Sequence, residues 1–131
     1  GLETQRKGIL GGVRINDHRH YGFEIFPLPL DEVQLEKIAF SENCSGDVPA
    51  FYRFDFEVQE PCDTFLDTEC FGKGCAFING FNLGRFWEIG PQKRLYIPAP
   101  LLTKGKNSII LFETESKSAD SITLSDTPLL G

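Results

Sequence analysis

Hydrophobic and polar residues alternate most strictly between residues 52 and 58. Side chains of an extended chain point alternately to opposite faces, so this pattern predicts a β-strand with one buried and one wet face. Pro61 marks its end because proline cannot donate a ladder hydrogen bond. The apolar members are Tyr52, Phe54, Phe56 and Val58, and the charged members are Arg53, Asp55 and Glu57.

A second pattern, at residues 72–91, predicts a β-hairpin. Two apolar runs are separated by Asn79-Gly80, a dipeptide that tight hairpin turns favour because both central residues need positive φ. Gly84 permits a bulge or a close backbone approach in the second run. Gly90-Pro91 then closes that run with another turn.

Shorter runs bounded by Gly, Pro and polar residues predict the other elements. Strands are expected at 7–16, with a bulge at Gly11-Gly12, and at 21–26, 64–66, 94–97, 108–113 and 121–124. The consecutive apolar residues of 108–113 suggest a strand covered on both faces. Brief helical turns are expected after Asp31 and around Leu101, a polar loop at 41–49 and a turn at 104–107.

Eight or nine short strands with little helix are typical of an antiparallel β-sandwich, here of the jelly-roll kind. The length of 131 residues suits one domain, 1–131, and 40% hydrophobic with 12% aromatic residues suits a packed core. A net charge of −6 argues against a nucleic-acid partner. No apolar run reaches the roughly 20 residues of a membrane span. The chain has no Met, which suits an excised fragment or a processed protein, and its compartment is left open.

Four cysteines, Cys44, Cys62, Cys70 and Cys75, could be thiols or disulfides. An extended run between Cys62 and Cys70 would hold them too far apart for a disulfide. Cys70 and Cys75 could meet, but a small buried hydrophobe is the simpler interpretation of Cys75. We therefore expect four free thiols.

Residues of catalytic type occur without a catalytic pattern. Asp55 and Glu57 alternate with aromatics and suit a solvated sheet face, and Glu69 and Glu88 are candidates by type alone. His18 and His20 could share a strand face, yet with only Asp17 nearby they do not complete a metal site, so a polar loop is expected. The sequence predicts no catalytic residue, metal or cofactor.

One cluster on the hairpin has the character of a recognition site. Aromatic faces and amide or guanidinium donors are the groups that hold sugars, and Asn82, Arg85 and Trp87 are the candidate carbohydrate contacts. Structural roles are the alternative: Asn79 as a turn residue, Phe86 or Trp87 in the core, and Arg85 paired with an acid.

Residues 72–92, G-K-G-C-A-F-I-N-G-F-N-L-G-R-F-W-E-I-G-P-Q, resemble the C-terminal β-domain of family 35 glycoside hydrolases, the retaining β-galactosidases. Motifs in family order extend the resemblance over most of 6–125. The chain departs at Cys75, where Val is usual, at Phe23, where Trp is usual, and at Cys62, where a polar residue is common. These further motifs are Gly22–Asp31, Pro49–Tyr52, Asp63–Asp67, Leu95–Pro98, Lys104–Asn107 and Leu111–Glu113.

The resemblance implies a galactose-binding-like sandwich that accompanies a catalytic (β/α)8 barrel. Such a barrel needs roughly 250 residues, so it lies outside this chain, and no catalytic glutamate is carried over. The implied function is a non-catalytic accessory domain of a β-galactosidase, with that barrel as partner. The alternative is a self-contained carbohydrate-binding module for galactosides. A family segment expected before Gly1 is missing, so an uncovered edge strand could pair with another copy.

Overall fold

The computed structural model describes residues 9–27, 29–42 and 48–130. Within these residues the chain forms nine β-strands, one short α-helix and one 3-10 helix. The strands are β1 (Val13–Ile15), β2 (His18–His20), β3 (Ala50–Val58), β4 (Thr64–Asp67), β5 (Lys73–Ile78), β6 (Phe81–Trp87), β7 (Arg94–Ile97), β8 (Gly105–Glu113) and β9 (Thr123–Ser125). The helices are α1 (Glu32–Leu35) and the 3-10 helix Ala99–Leu101.

Two antiparallel sheets enclose the core, as the sequence predicts. One sheet has the order β3-β8-β5-β6, the other has the order β7-β4-β9, and β1 pairs with β2 apart from both. Buried side chains of both sheets form one cluster, and the aromatic side chains of β3 pack against it while half-buried. The cluster contains Leu66, Phe71, Ala76, Ile78, Phe86, Leu95, Ile97, Leu102, Ile109 and Leu111.

The predicted hairpin is confirmed. Asn79 and Gly80 have φ of 48° and 84°, which places both in the left-handed region that a tight β5–β6 turn requires. Ala76 pairs with Gly84 and Phe77 with Asn82, so Leu83 is the additional residue of a bulge. The interruption lies next to Gly84, whose φ of 110° few other residues adopt.

The sequence was misleading between residues 9 and 26. The strand expected at 7–16 is reduced to Val13–Ile15 in its described part, and His18–His20, expected as loop, is strand β2. Asn16 and Asp17 join the two strands with φ of 48° and 65°. The strand expected at 21–26 does not form, because no strand among the described residues pairs with it and Gly22 turns the chain at a φ of 73°.

Other boundaries agree more closely. Asp31 caps α1 by accepting the Gln34 N–H at 2.9 Å. β8 begins at Gly105, inside the turn expected at 104–107. The Asn107 side chain closes this turn, because its Nδ2 donates to the carbonyl oxygens of Thr103 and Gly105. Both faces of β8 are covered, as predicted, because Ile109 is buried and Ile110 is half-buried. The loop expected at 41–49 lies in part outside the described residues.

Three of the four cysteines can be placed. Cys62 and Cys70 are exposed free thiols, and Cys75 is a half-buried free thiol on β5, as predicted. Burial raises the pKa of the Cys75 and Cys70 thiols. Cys44 lies outside the described residues.

A buried carboxylate ties β8 to the two loops that flank it. Glu113 is fully buried, and its Oε1 accepts the backbone N–H groups of Gly72 and Lys73 at 3.2 Å each. The Glu115 N–H lies 3.1 Å from both oxygens, and the Lys117 N–H donates to Oε2 at 2.8 Å. Four backbone donors thus solvate a charge that no Lys or Arg of the described residues approaches within 4.0 Å. Hydrogen bonds of this kind offset the cost of removing a carboxylate from water.

The substitution Glu113→Gln tests this arrangement. It is expected to lower the free energy of unfolding by about 2 kcal/mol, because an amide N–H₂ would face backbone donors and leave one or more unpaired. Urea unfolding followed by Trp87 fluorescence measures the change. The matched control is the exposed neighbour Glu115→Gln; equal midpoints for the two variants would contradict the assignment.

Close packing of two strands imposes a different constraint at Gly74. A Cβ built there would lie 1.7 Å from the Phe112 carbonyl oxygen and 2.9 Å from Phe86 Cζ. Gly74→Ala is expected to cost about 3 kcal/mol, since backbone rather than a flexible side chain must move. Gly12→Ala, which meets nothing within 4 Å, is the control and should change the thermal midpoint little. A stable, fully folded Gly74→Ala variant would show that β5 and β8 are further apart than described.

Candidate carbohydrate-binding face

The outer face of β6 carries two of the three candidate sugar contacts. Arg85 and Trp87 are two residues apart and therefore share a sheet face, with Arg85 exposed and Trp87 half-buried. Phe86 between them points the other way and is 1% exposed in the core, where its ring lies 6.0 Å from that of Phe71. Arg85 and Trp87 are thus available at the surface, and Phe86 is a core residue.

Two cations contact the indole of Trp87. The Arg85 guanidinium carbon lies 5.1 Å from the ring centroid, and the Lys73 ammonium also lies 5.1 Å from it. Both distances are within the range of cation–π attraction. Neither cation forms an ion pair with a carboxylate among the described residues. We call Lys73, Arg85 and Trp87 the Trp87 patch.

Lys73 is a member that the sequence analysis missed. It stands directly opposite Trp87 in the β5–β6 register. The sequence contains the information needed to find it. If pairs are counted outward from the Asn79-Gly80 turn and one residue is allowed for the bulge, Lys73 pairs with Trp87. The position of the bulge was the missing piece of information.

Asn82 lies away from this patch. It is five positions before Trp87, roughly 16 Å along a strand at about 3.3 Å per residue. Its side-chain oxygen accepts the Gly84 N–H at 2.8 Å and so stabilises the bulge. A single sugar ring could not span from Asn82 to Trp87, so the structure brings two of the three candidates together.

Asn79, also noted in the sequence, has a structural role. Its Nδ2 donates to the Leu101 carbonyl and to Asn107 Oδ1, both at 2.9 Å, and its Oδ1 accepts the Ser108 N–H at 3.0 Å. The turn is therefore fixed to β8 and to the 3-10 helix. These bonds occupy both ends of the amide, which leaves little capacity for a ligand.

The candidate carboxylates are spread over the surface. Asp55 accepts from Arg53 Nε at 3.0 Å, and this hydrogen bond holds the pKa of Asp55 below its ordinary value of 3.8. Glu88 is paired with Lys117, which raises the pKa of the lysine. Glu57 and Glu69 are exposed. Each position is explained by solvation or by an ion pair.

His18 and His20 are exposed on β2, opposite Ile15 and Val13. Within the described ranges, no group of three His, Cys, Asp or Glu side chains is arranged to hold a metal ion. In the same part of the chain, none of the helices combines the length and apolarity needed to cross a bilayer.

Comparison with known proteins gives this architecture a family. Residues 49–107, which run from the start of β3 into β8, match the family described as the galactose-binding domain of β-galactosidase. The chain holds a galactose-binding-like domain of the β-galactosidase type. This agrees with the antiparallel sandwich and with the resemblance carried by the hairpin motif.

Several curated relatives of this domain are β-galactosidases or β-galactosidase-like proteins. The chain is 38% identical over 135 residues to β-galactosidase-1-like protein 2 of Homo sapiens, covering 99% of this chain and 21% of the relative. It is 35% identical to β-galactosidase 17 of Arabidopsis thaliana (84% and 18% covered) and 38% identical to β-galactosidase 1 of Dictyostelium discoideum (85% and 18%). The chain thus spans about a fifth of the length of these relatives.

The Trp87 patch predicts a spectroscopic result. Because Trp87 is the single tryptophan, removing Lys73 or Arg85 should make the indole more accessible, and acrylamide quenching of its fluorescence should increase. Each Ala substitution is expected to cost less than about 1 kcal/mol of stability. Lys104→Ala, at an exposed lysine outside the patch, is the control. Unchanged quenching in both variants would show that these cations do not cover the ring.

Proposed function

We propose that this chain is a non-catalytic accessory domain of a retaining β-galactosidase. In this proposal a catalytic (β/α)8 barrel elsewhere in the parent chain hydrolyses terminal β-linked galactose, using one carboxylate as nucleophile and a second carboxyl as acid and then base. The size of the relatives supports it, since four fifths of their length lies outside the matched region. A barrel of roughly 250 residues needs that additional length.

The observation that carries the proposal is an apolar surface on the N-terminal segment that the described residues leave exposed. Large hydrophobic side chains there are 57–87% exposed, which is unusual for one short stretch of a folded protein. Five of them, Ile9, Tyr21, Phe23, Ile25 and Phe26, line a depression of about 640 Å³. We call this set the N-terminal apolar surface: Ile9, Leu10, Ile15, Tyr21, Phe23, Ile25 and Phe26.

A neighbouring domain of the same chain is the partner that suits this surface. Domains of one polypeptide meet at interfaces of several hundred Å², and burial of apolar area drives their packing. The core of the sandwich lies elsewhere, between the two sheets, so the segment is not needed to complete it. The domain would then contribute to the stability of the catalytic unit by covering part of it.

Sugar binding by the domain itself is the second candidate function. The matching family description names galactose binding, and the outer face of the larger sheet presents exposed polar and aromatic side chains. Binding would let the domain hold a galactoside-bearing polymer near the barrel. The two functions are compatible because the N-terminal apolar surface and the outer face of the larger sheet involve different residues.

Two measurements test the accessory role. The isolated chain should not hydrolyse a chromogenic β-galactoside above the buffer rate. In the full-length parent, the double substitution Ile25→Asp and Phe26→Asp should shorten the half-life of β-galactosidase activity on heating, because charges would be buried at the domain contact.

Ile89→Asp is the matched control for the heating experiment, since Ile89 is 68% exposed outside that surface. It should leave the half-life unchanged. Turnover by the isolated chain would remove the non-catalytic assignment, and equal half-lives for all three proteins would remove the proposed contact.

A further inference from the structure

A second surface of the larger sheet has the form of a ligand groove. It lies on the outer face of β3 and β8, where segment 35–40 rises beside the strands. A cavity of about 460 Å³ opens against Arg53, Asp55 and Ser108, and one of about 280 Å³ adjoins it below Phe40 and Leu35. Arg53 lines both cavities and also a third of about 740 Å³ along β3. We call this the Arg53 groove, formed by Phe40, Arg53, Asp55, Glu57, Lys106 and Ser108.

The charges that line the 460 Å³ cavity of the Arg53 groove cancel. Arg53 is paired with Asp55, and Glu57 stands opposite Lys106 in the β3–β8 register. This cavity has two cations and two carboxylates and thus no preference of sign, whereas the Trp87 patch has two cations without an ion pair among the described residues. Three further acids, Glu36, Glu42 and Asp120, line the adjoining cavities. The polarity of the 460 Å³ cavity therefore suits a neutral ligand with many hydrogen-bonding groups.

Donor and acceptor groups lie side by side at its centre. The Arg53–Asp55 pair forms through Nε and Oδ1, while 48% of the Arg53 side chain and 59% of the Asp55 side chain stay exposed. A sugar hydroxyl both donates and accepts, so two adjacent hydroxyls can bind a guanidinium and a carboxylate together. Ser108 stands opposite Asp55 in the β3–β8 register and adds a buried hydroxyl next to this carboxylate.

An aromatic side chain adjoins the 460 Å³ cavity, since Phe40 lines the two neighbouring cavities that share Arg53 with it. The ring of Phe40 is half-buried, and the Arg53 guanidinium carbon lies 6.0 Å from its centroid. Aromatic rings beside polar groups are what carbohydrate sites use against the C–H faces of sugars. The cavity of 460 Å³ has a volume in the ordinary range for small-ligand sites.

We propose that the Arg53 groove binds a neutral saccharide, with Arg53 and Asp55 holding adjacent hydroxyls and Phe40 facing the ring. This assignment rests on the second proposed function, sugar binding by the domain. It places the site about Arg53 on strands β3 and β8, away from the Trp87 patch on β6.

Isothermal titration calorimetry of the 131-residue chain with galactose and with a β-linked galactose oligosaccharide tests the proposal. The wild type should bind with a millimolar Kd, and Asp55→Asn should weaken binding at least tenfold, about 1.4 kcal/mol. Arg53→Gln should have a similar effect. Arg14→Gln, a matched change at an exposed arginine of β1 that lies outside the larger sheet, should leave Kd within a factor of two.

The outcomes separate the groove from the function. Binding that is unaffected by Asp55→Asn and Arg53→Gln but lost in Trp87→Ala would overturn the groove and leave sugar binding standing. A wild type that binds neither sugar at tens of millimolar would overturn both, with the accessory role untouched. If the groove variants fail to fold, amide shifts of the wild type on titration decide: perturbations must centre on 53–57 and 106–108, and perturbations centred on 85–87 would reject the groove.

Discussion

The two-residue turn at Asn79-Gly80 fixes the register on which both faces of the larger sheet depend. A slip of one residue would exchange inward and outward side chains along a whole strand. Phe86 would leave the core, and Trp87 would lose Lys73 as its cross-strand neighbour. Three hydrogen bonds of the Asn79 side-chain amide hold the turn in place. Two connect it to Asn107 and Ser108 of β8, and the third connects it to the carbonyl of Leu101 at the end of the 3-10 helix. A short polar network thus determines where the apolar residues point.

The sequence predicted those parts of the fold whose signal is local. Alternation identified β3, and the Asn-Gly dipeptide identified the β5–β6 turn, because each pattern reflects the geometry of a few consecutive residues. The segment 21–26 was predicted wrongly for the opposite reason. Phe23, Ile25 and Phe26 resemble a strand in composition, but a strand needs a pairing neighbour, and composition does not reveal whether one exists.

The candidate site was predictable to a similar degree. Arg85 and Trp87 could be found because exposed aromatic and guanidinium groups stand out in a hairpin, whereas Lys73 depends on the register and Asn82 on the bulge. The Arg53 groove could not be predicted in this way. Arg53 and Asp55 look like ordinary solvated residues of an alternating strand. Their surface is concave because residues distant in the sequence, Asn79 and Lys106 on one side and segment 35–40 on the other, lie beside them.

The manner in which Glu113 is held has a consequence for sequence variation. Its carboxylate is bound by main-chain N–H groups alone, so the side chains at 72, 73, 115 and 117 contribute nothing to those bonds. With respect to this one network, natural variants can differ freely at Lys73, Glu115 and Lys117, provided that none of these positions becomes proline, which has no amide hydrogen. Gly72 is more restricted, since a Cβ there would lie 2.7 Å from that of Glu115. We therefore expect related sequences to keep the glutamate at position 113 while the residues at positions 73, 115 and 117, whose backbone N–H groups bind it, vary.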